Sequence, residues 1–267
     1  MKSWTKPNYK IQEFPQSRVA TIDVGKIGKQ KNHIAGIVEF DVTESRLKIR
    51  EYNRNHDKNI SLTAWLISVI STTIKKHETS ASFLAGKNRL IIFEDINVSL
   101  IVEKEMNGNK VPIPLVIEKA HEISIERITQ QIAQSKNTEL SEGDIVLQRK
   151  TKRMERLYYR LPGFLRMYVW KYLLKHPKLA YSKMGNVAIT AVGMMGKING
   201  WFIPTSIHPV CFGIGSVIKK PVVVDDKIAI REMLNMAVLI DHDVMDGANM
   251  ARFMKELSRN IESGLNL

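Results

Sequence analysis

Strand and helix signals are interleaved along this chain without strict βαβ alternation, and that ordering restricts the fold more than any other feature. Ala35–Val42 reads AGIVEFDV, β-branched and partly alternating, as a strand does. Arg89–Phe93, Ile96–Val102, Asn186–Val192, Val210–Ile218 and Met236–Ile240 carry further strand signals. Asn107-Gly108-Asn109 separates Val98–Val102 from Val111–Ile117 and predicts a hairpin, and Lys220–Arg231, centred on Asp225-Asp226, predicts another. Helices are expected between these runs. Thr43 is expected to cap TESRLKIREYNRN, and the helix from Ser61 aligns Leu62, Trp65, Leu66, Val69 and Ile70 on one face. Ser124 stands as N-cap of another helix, and Gly247–Ile261 closes the chain with Met250, Phe253, Met254 and Leu257 on one side. The pattern implies an α+β fold, a mixed sheet with flanking helices in a single domain of residues 18–267. Residues 1–17, broken by Pro7 and Pro15, read as an N-terminal arm.

A single cysteine, Cys211, excludes a disulfide within the chain and fits a reducing compartment. MKSWTKPNYK holds no apolar core of an export signal, so a cytoplasmic location is expected. The uncharged stretch Asn59–Ile74 is shorter than the roughly 18 apolar residues a membrane span needs, and is rich in Ser and Thr. Net charge is +13, and it is unevenly placed. Gln148–Tyr181 carries ten basic residues against one acid, Glu155, hence +9 of that total. Aromatic residues and leucines alternate with the charges, which suggests two basic amphipathic helices broken at Pro162-Gly163. Three readings are open: a solvated cap over a site, peripheral membrane attachment, or docking of an anionic carrier such as coenzyme A phosphates. Nucleic acid is the least favoured partner, because no recognition motif accompanies the charge.

The chemistry-bearing residues gather near the C-terminus. His242, Asp246 and Gly247 form an H-x-x-x-D-G motif between a strand and a helix. Alone it is a weak signal. Four other stretches accompany it in order: VEFDVTESRL, VPIPLVIEKAHEISIERITQQI, NVAITAVGMMG and HPVCFGIGSVIKKPVVVDDKIAIREM. Together they resemble the catalytic domain of the 2-oxoacid dehydrogenase acyltransferases, the dihydrolipoamide acyltransferase type, within the chloramphenicol acetyltransferase-like superfamily. The resemblance covers about residues 18–262, with 148–181 as an insertion. It implies a chloramphenicol acetyltransferase-like fold, a homotrimer with active sites between subunits, and direct acyl transfer without an acyl-enzyme. It implies an acyl-coenzyme A or acyl-carrier thioester as substrate, a lipoyl group supplied by another protein, and no metal. The sequence departs from the family by Asp243 where arginine is usual, by Thr190 where serine is usual, and by showing no lipoyl or subunit-binding domain; a free-standing acyltransferase is the expectation.

Acyl transfer from a thioester needs a base to take a proton from the attacking thiol, and a neutral imidazole has a suitable pKa. By the resemblance His242 is that base, one ring nitrogen being held by a backbone carbonyl, and Thr190 donates to the oxyanion. Asp246 is expected to organise the turn. The competing reading is a non-catalytic trimeric scaffold, prompted by Asp243, whose carboxylate beside His242 would raise the imidazole pKa. Cys211 in an apolar strand reads as core packing, and His208 beside Pro209 as a loop histidine. The remaining histidines, including His33, His56, His77, His121 and His176, show no metal-ligand spacing.

Overall fold

The computed structural model describes residues 8–11, 17–57, 59–106, 109–137, 157–196 and 198–267. Its elements are α1 (Ser17–Gly28), β1 (His33–Asp41), α2 (Thr43–Asn55), α3 (Leu62–Lys76), β2 (Phe83–Ala85), β3 (Arg89–Ile91), β4 (Val98–Met106), β5 (Asn109–Ile117) and α4 (Ile125–Asn137). After these come α5 (Gly163–Lys175), α6 (Pro177–Met184), β6 (Val187–Ala191), β7 (Val210–Val224), β8 (Lys227–Asp241) and α7 (Gly247–Glu262). Six strands form one sheet in the order β1-β8-β7-β6-β4-β5. β6 runs parallel to both β4 and β7, and the other pairs are antiparallel. The sheet is therefore mixed, as its strand order in sequence implied.

The two-residue period of a strand sorts its side chains between two faces. On β6, Val187, Ile189 and Ala191 face a large core that also holds Trp65, Ile128, Phe212, Met236 and Phe253 from strands and from α3, α4 and α7. Ala188 faces the other way, with Cys211, Ala237 and Leu239. α1, α5 and α6 cover part of this second face through a smaller cluster that includes Ile27, Trp170, Ala180, Met184 and Ile207.

Most local signals hold. Ser61 and Ser124 accept the backbone N–H of Ala64 and Arg127, at 3.1 and 3.3 Å, and so cap α3 and α4. Thr43 does not cap α2; it is the first helical residue. Its hydroxyl instead donates to Asp41 Oδ1 at 2.6 Å and accepts the Glu232 N–H at 2.8 Å, tying β1 to β8. β7 and β8 are longer than the sequence suggests, because the predicted hairpin is the continuation of both strands. Its turn residues Asp225 and Asp226 both have positive φ, 48° and 60°, as a two-residue turn of this hand requires. The hairpin at 107–109 joins β4 to β5, although residues 107 and 108 lie outside the described residues. α1 and β2 are additions to the expected set, and β2 pairs with β3, which falls within the expected strand Arg89–Phe93.

The basic segment is described from residue 157, and 148–156 lie outside the described residues. A helical stretch at 157–160 ends before Pro162, the N-cap residue of α5, and Pro177 opens α6. α5 is not an amphipathic helix. Trp170 is buried and Met167, Leu173 and Leu174 pack beside it, while Phe164, Tyr168 and Tyr172 point outward. The helix is apolar on both sides.

Candidate active site

β8 delivers His242. The strand end is fixed from three directions: Asp241 N–H donates to Pro209 O at 2.8 Å, His242 N–H donates to Asn32 O at 2.9 Å, and Lys31 Nζ donates to Asp241 Oδ2 at 2.6 Å. Asp241 is 1% exposed, so this carboxylate is buried with its charge matched by Lys31. Neither Lys31 nor Asp241 was singled out in the sequence; the only signal was an acid ending an apolar strand.

After His242 the chain turns. Asp243 N–H donates to Asp241 Oδ1 at 3.3 Å, and Asp243 Oδ1 accepts from Asn32 Nδ2 at 3.0 Å. Asp246 is the N-cap of α7, its Oδ1 accepting the Asn249 N–H at 2.8 Å. Asp246 thus closes the turn by capping α7. The His242 side chain is exposed, and among the described residues nothing hydrogen-bonds its imidazole. None of the described residues supplies the carbonyl expected to hold that ring.

Thr190 lies on β6, on the second face of the sheet, in the wall of a cavity of about 310 Å³. Ser99, Ile101, Ala188 and Cys211 share that face, while Trp170, Met184 and the loop 204–208 close over it. The insertion thus contributes to the site's lining. Gly193, just past β6, is required for close approach, since a Cβ there would sit 1.9 Å from Gly215 O on β7. That contact seats the turn after Thr190 against the bulge between Ile214 and Val217. A larger cavity of about 590 Å³ beside α2 and α3 holds none of the expected site residues, and its Arg46 and Glu232 pair with each other at 2.8 Å.

One chain does not bring Thr190 and His242 together. Thr190 is in register with Gly213, and Gly213 with Ala237. His242 is five residues further along β8, about 17 Å along the strand and about 10 Å across two strand spacings. No single reacting group spans that distance.

His208 also lines the cavity but is no substitute base. Its Nε2 lies 3.0 Å from Met184 O, to which it donates, and its Nδ1 is 3.2 Å from Ser206 Oγ. Burial lowers its pKa to about 4, so the ring is neutral with both nitrogens engaged. Burial pushes the Cys211 thiol up to about 12, which leaves it a packing residue rather than a nucleophile. Among the described residues one group has metal-ligating atoms close together, Asp95, His121 and Glu122. Lys119 Nζ stands 3.5 Å from Asp95 and 3.8 Å from Glu122 and supplies the positive charge there.

The profile of the family described as 2-oxoacid dehydrogenases acyltransferase (catalytic domain) matches residues 174–267. The dihydrolipoyllysine-residue acetyltransferase component of the pyruvate dehydrogenase complex of Mycoplasma genitalium is 24% identical over 238 residues, covering 86% of this chain and 52% of that protein. The lipoamide acyltransferase component of the branched-chain alpha-keto acid dehydrogenase complex of Bacillus subtilis is 24% identical over 262 residues, 94% of this chain and 52% of that protein. The chain thus spans about half the length of these curated relatives. Among solved structures, a probable dihydrolipoamide acetyltransferase from Listeria monocytogenes superposes with a TM-score of 0.69 at 20% identity, covering 96% of this chain and 95% of that one. The dihydrolipoamide acetyltransferase of Azotobacter vinelandii gives 0.67 at 15% identity, covering 95% and 92%. The fold is that of these acyltransferase domains.

Proposed function

We propose that this chain, a relative of the 2-oxoacid dehydrogenase acyltransferase catalytic domain, moves an acyl group between a coenzyme A or carrier thioester and a thiol such as a lipoyl arm borne by another protein. The observation that carries this reading is a spacing. Work on the catalytic mechanism of the Azotobacter vinelandii enzyme concerns a serine, a histidine 52 residues later and an asparagine four residues after that. Here Thr190 stands 52 residues before His242, and Asp246 four residues after it.

The chemistry follows from the groups. His242, exposed at the end of β8, takes the proton from the attacking thiol. The sulfur attacks the thioester carbonyl, and the Thr190 hydroxyl donates to the oxyanion. As the intermediate collapses, the leaving thiolate takes the proton back from the imidazolium. Atoms and charge balance, and no residue is acylated. Asp246 acts on the turn that presents His242 and not on the proton.

Two copies are needed for one site, since Thr190 and His242 are far apart within a chain. A homotrimer closes such sites in a ring, each copy giving His242 to one neighbour and Thr190 to the other. The distal hairpin of β7 and β8 supports an assembly: Val223, Ile228 and Ile230 are 72–80% exposed, which is costly unless a neighbour covers them. Donor and acceptor reach the site by diffusion or on a carrier. The scaffold reading is weaker, because Asp243 gives its carboxylate to Asn32 and makes no hydrogen bond to the imidazole.

The test is thiol release from a panel of acyl-coenzyme A donors with dihydrolipoamide as acceptor, using His242→Ala as the reference. Turnover that falls by roughly 10²–10⁴-fold in the variant supports the reading. Equal turnover in both proteins, or none with any donor or carrier, overturns it.

A further inference from the structure

The outer side of α5 has no cover. Phe164, Leu165, Tyr168, Val169 and Tyr172 are 40–73% exposed along it. A helix that is apolar all round is normally enclosed, so an exposed second side points to an occupant. This side does not belong to a fraying helix. Arg166 Nε and Tyr158 Oη both donate to the buried Asp23 Oδ2 at 2.7 Å, and Trp170 Nε1 donates to Tyr158 Oη at 2.9 Å. Those bonds lock α5 onto α1 and hold the outer row as a fixed platform.

Charge identifies the occupant. Residues 157–184 include six basic side chains and no acid. Lys171 and Lys175 follow Tyr168 and Tyr172 at a spacing of three, so ammonium groups flank the ring row. Lys178 adds a third at the start of α6, and none of the three has an ion-pair partner among the described residues. A second copy docked through the same face would set lysine against lysine. A surface that is apolar at depth and anionic at its rim matches both features.

We propose that the outer face of α5 docks on an anionic lipid bilayer, with Phe164, Tyr168 and Tyr172 in the interface and Lys171, Lys175 and Lys178 at the headgroup phosphates. The helix lies in the membrane plane: the row from 164 to 172 is about 12 Å long, and among the described residues no helix is long and apolar enough to cross. Tyrosine suits this depth, having an apolar ring and a polar tip, and lysine stems extend to keep their charge in water. The cavity walled by Thr190 and closed by Trp170 lies behind the same helix, so docking would place that cavity beside the lipid surface. The docking inference stands without the acyltransferase reading.

The experiment is flotation of the full chain with vesicles of phosphatidylcholine alone or mixed with phosphatidylglycerol. Binding is expected to the acidic vesicles only, and to weaken with added salt. Lys171→Glu with Lys175→Glu should weaken it at least about tenfold. Phe164→Ser with Tyr172→Ser should weaken it without changing the melting temperature or the assembly mass, since both side chains are exposed. Equal binding to both vesicle types, no binding, or unchanged binding by the variants overturns the proposal. So does a change in assembly mass in either double variant, which would assign the face to contacts between copies.

Discussion

The two faces of the sheet are built by different rules. On one, α3, α4 and α7 bury a largely apolar surface, with Trp65, Phe212 and Phe253 at 0% exposure and a buried Asn260–Thr73 hydrogen bond of 2.9 Å between α7 and α3. On the other, α1, α5 and α6 hold together partly through polar contacts: Asp23 with Arg166 and Tyr158, and His208 with Met184 and Ser206. Thr190 opens onto this second face. Apolar packing gives the first face stability with no chemical content. Buried polar groups are costly to arrange, but they set side chains at fixed positions around a cavity.

Substitutions can break that contrast. Phe253→Ala should cost most, about 3–5 kcal/mol in denaturant unfolding, with catalysis per folded molecule unchanged. Asp23→Ala on the opposite face should cost about 3 kcal/mol, because it strands Arg166 and the buried Tyr158 hydroxyl. It should also loosen α5 specifically, seen as faster amide exchange over 163–175 than over 62–76. Uniform acceleration would mean that the two faces unfold as one unit and erase the distinction.

Acid should act on the second face through His208. His208 takes a proton near pH 6.5 when unfolded but only near pH 4 when folded. Its contribution is thus complete above pH 6.5 and lost as pH falls toward 4, where about 3 kcal/mol is gone. Melting temperatures across that range should fall for the wild type and flatten for His208→Asn. The smallest effect concerns the turn between the faces. Asp246→Ala should cost about 1 kcal/mol through loss of the α7 cap. A turnover loss much larger than that cost would move Asp246 from the helix to the chemistry.

Legibility divides along the same line. The first face could be read in advance, because Leu62, Trp65, Leu66, Val69 and Ile70 recur at helical spacing and Ser61 and Ser124 cap their helices. α1 could not. Its sequence SRVATIDVGKIG mixes β-branched residues with two glycines, poor local helix formers, and Asp23 accepts hydrogen bonds from residues more than 130 positions away. α5 was visible as a helix, but its two-sided apolarity was obscured by the surrounding charges. Of the candidate site residues, His242, Asp246 and Thr190 stand in motifs visible in the sequence, and the first two lie on one turn. Lys31 and Asn32, which grip that turn, belong to a loop whose proximity only the β1–β8 pairing creates.

The distance along the sheet between Thr190 and His242 also has a genetic meaning. Under the proposed assembly, a chain is not the unit of activity; a junction between neighbours is. A pool of His242→Ala chains and a pool of Thr190→Ala chains would each be inert, yet co-refolding them would regenerate intact junctions wherever an unmutated histidine meets an unmutated threonine. Conversely, a doubly substituted chain mixed into wild type would poison both of its borders, so activity would fall further than the share of wild-type chains.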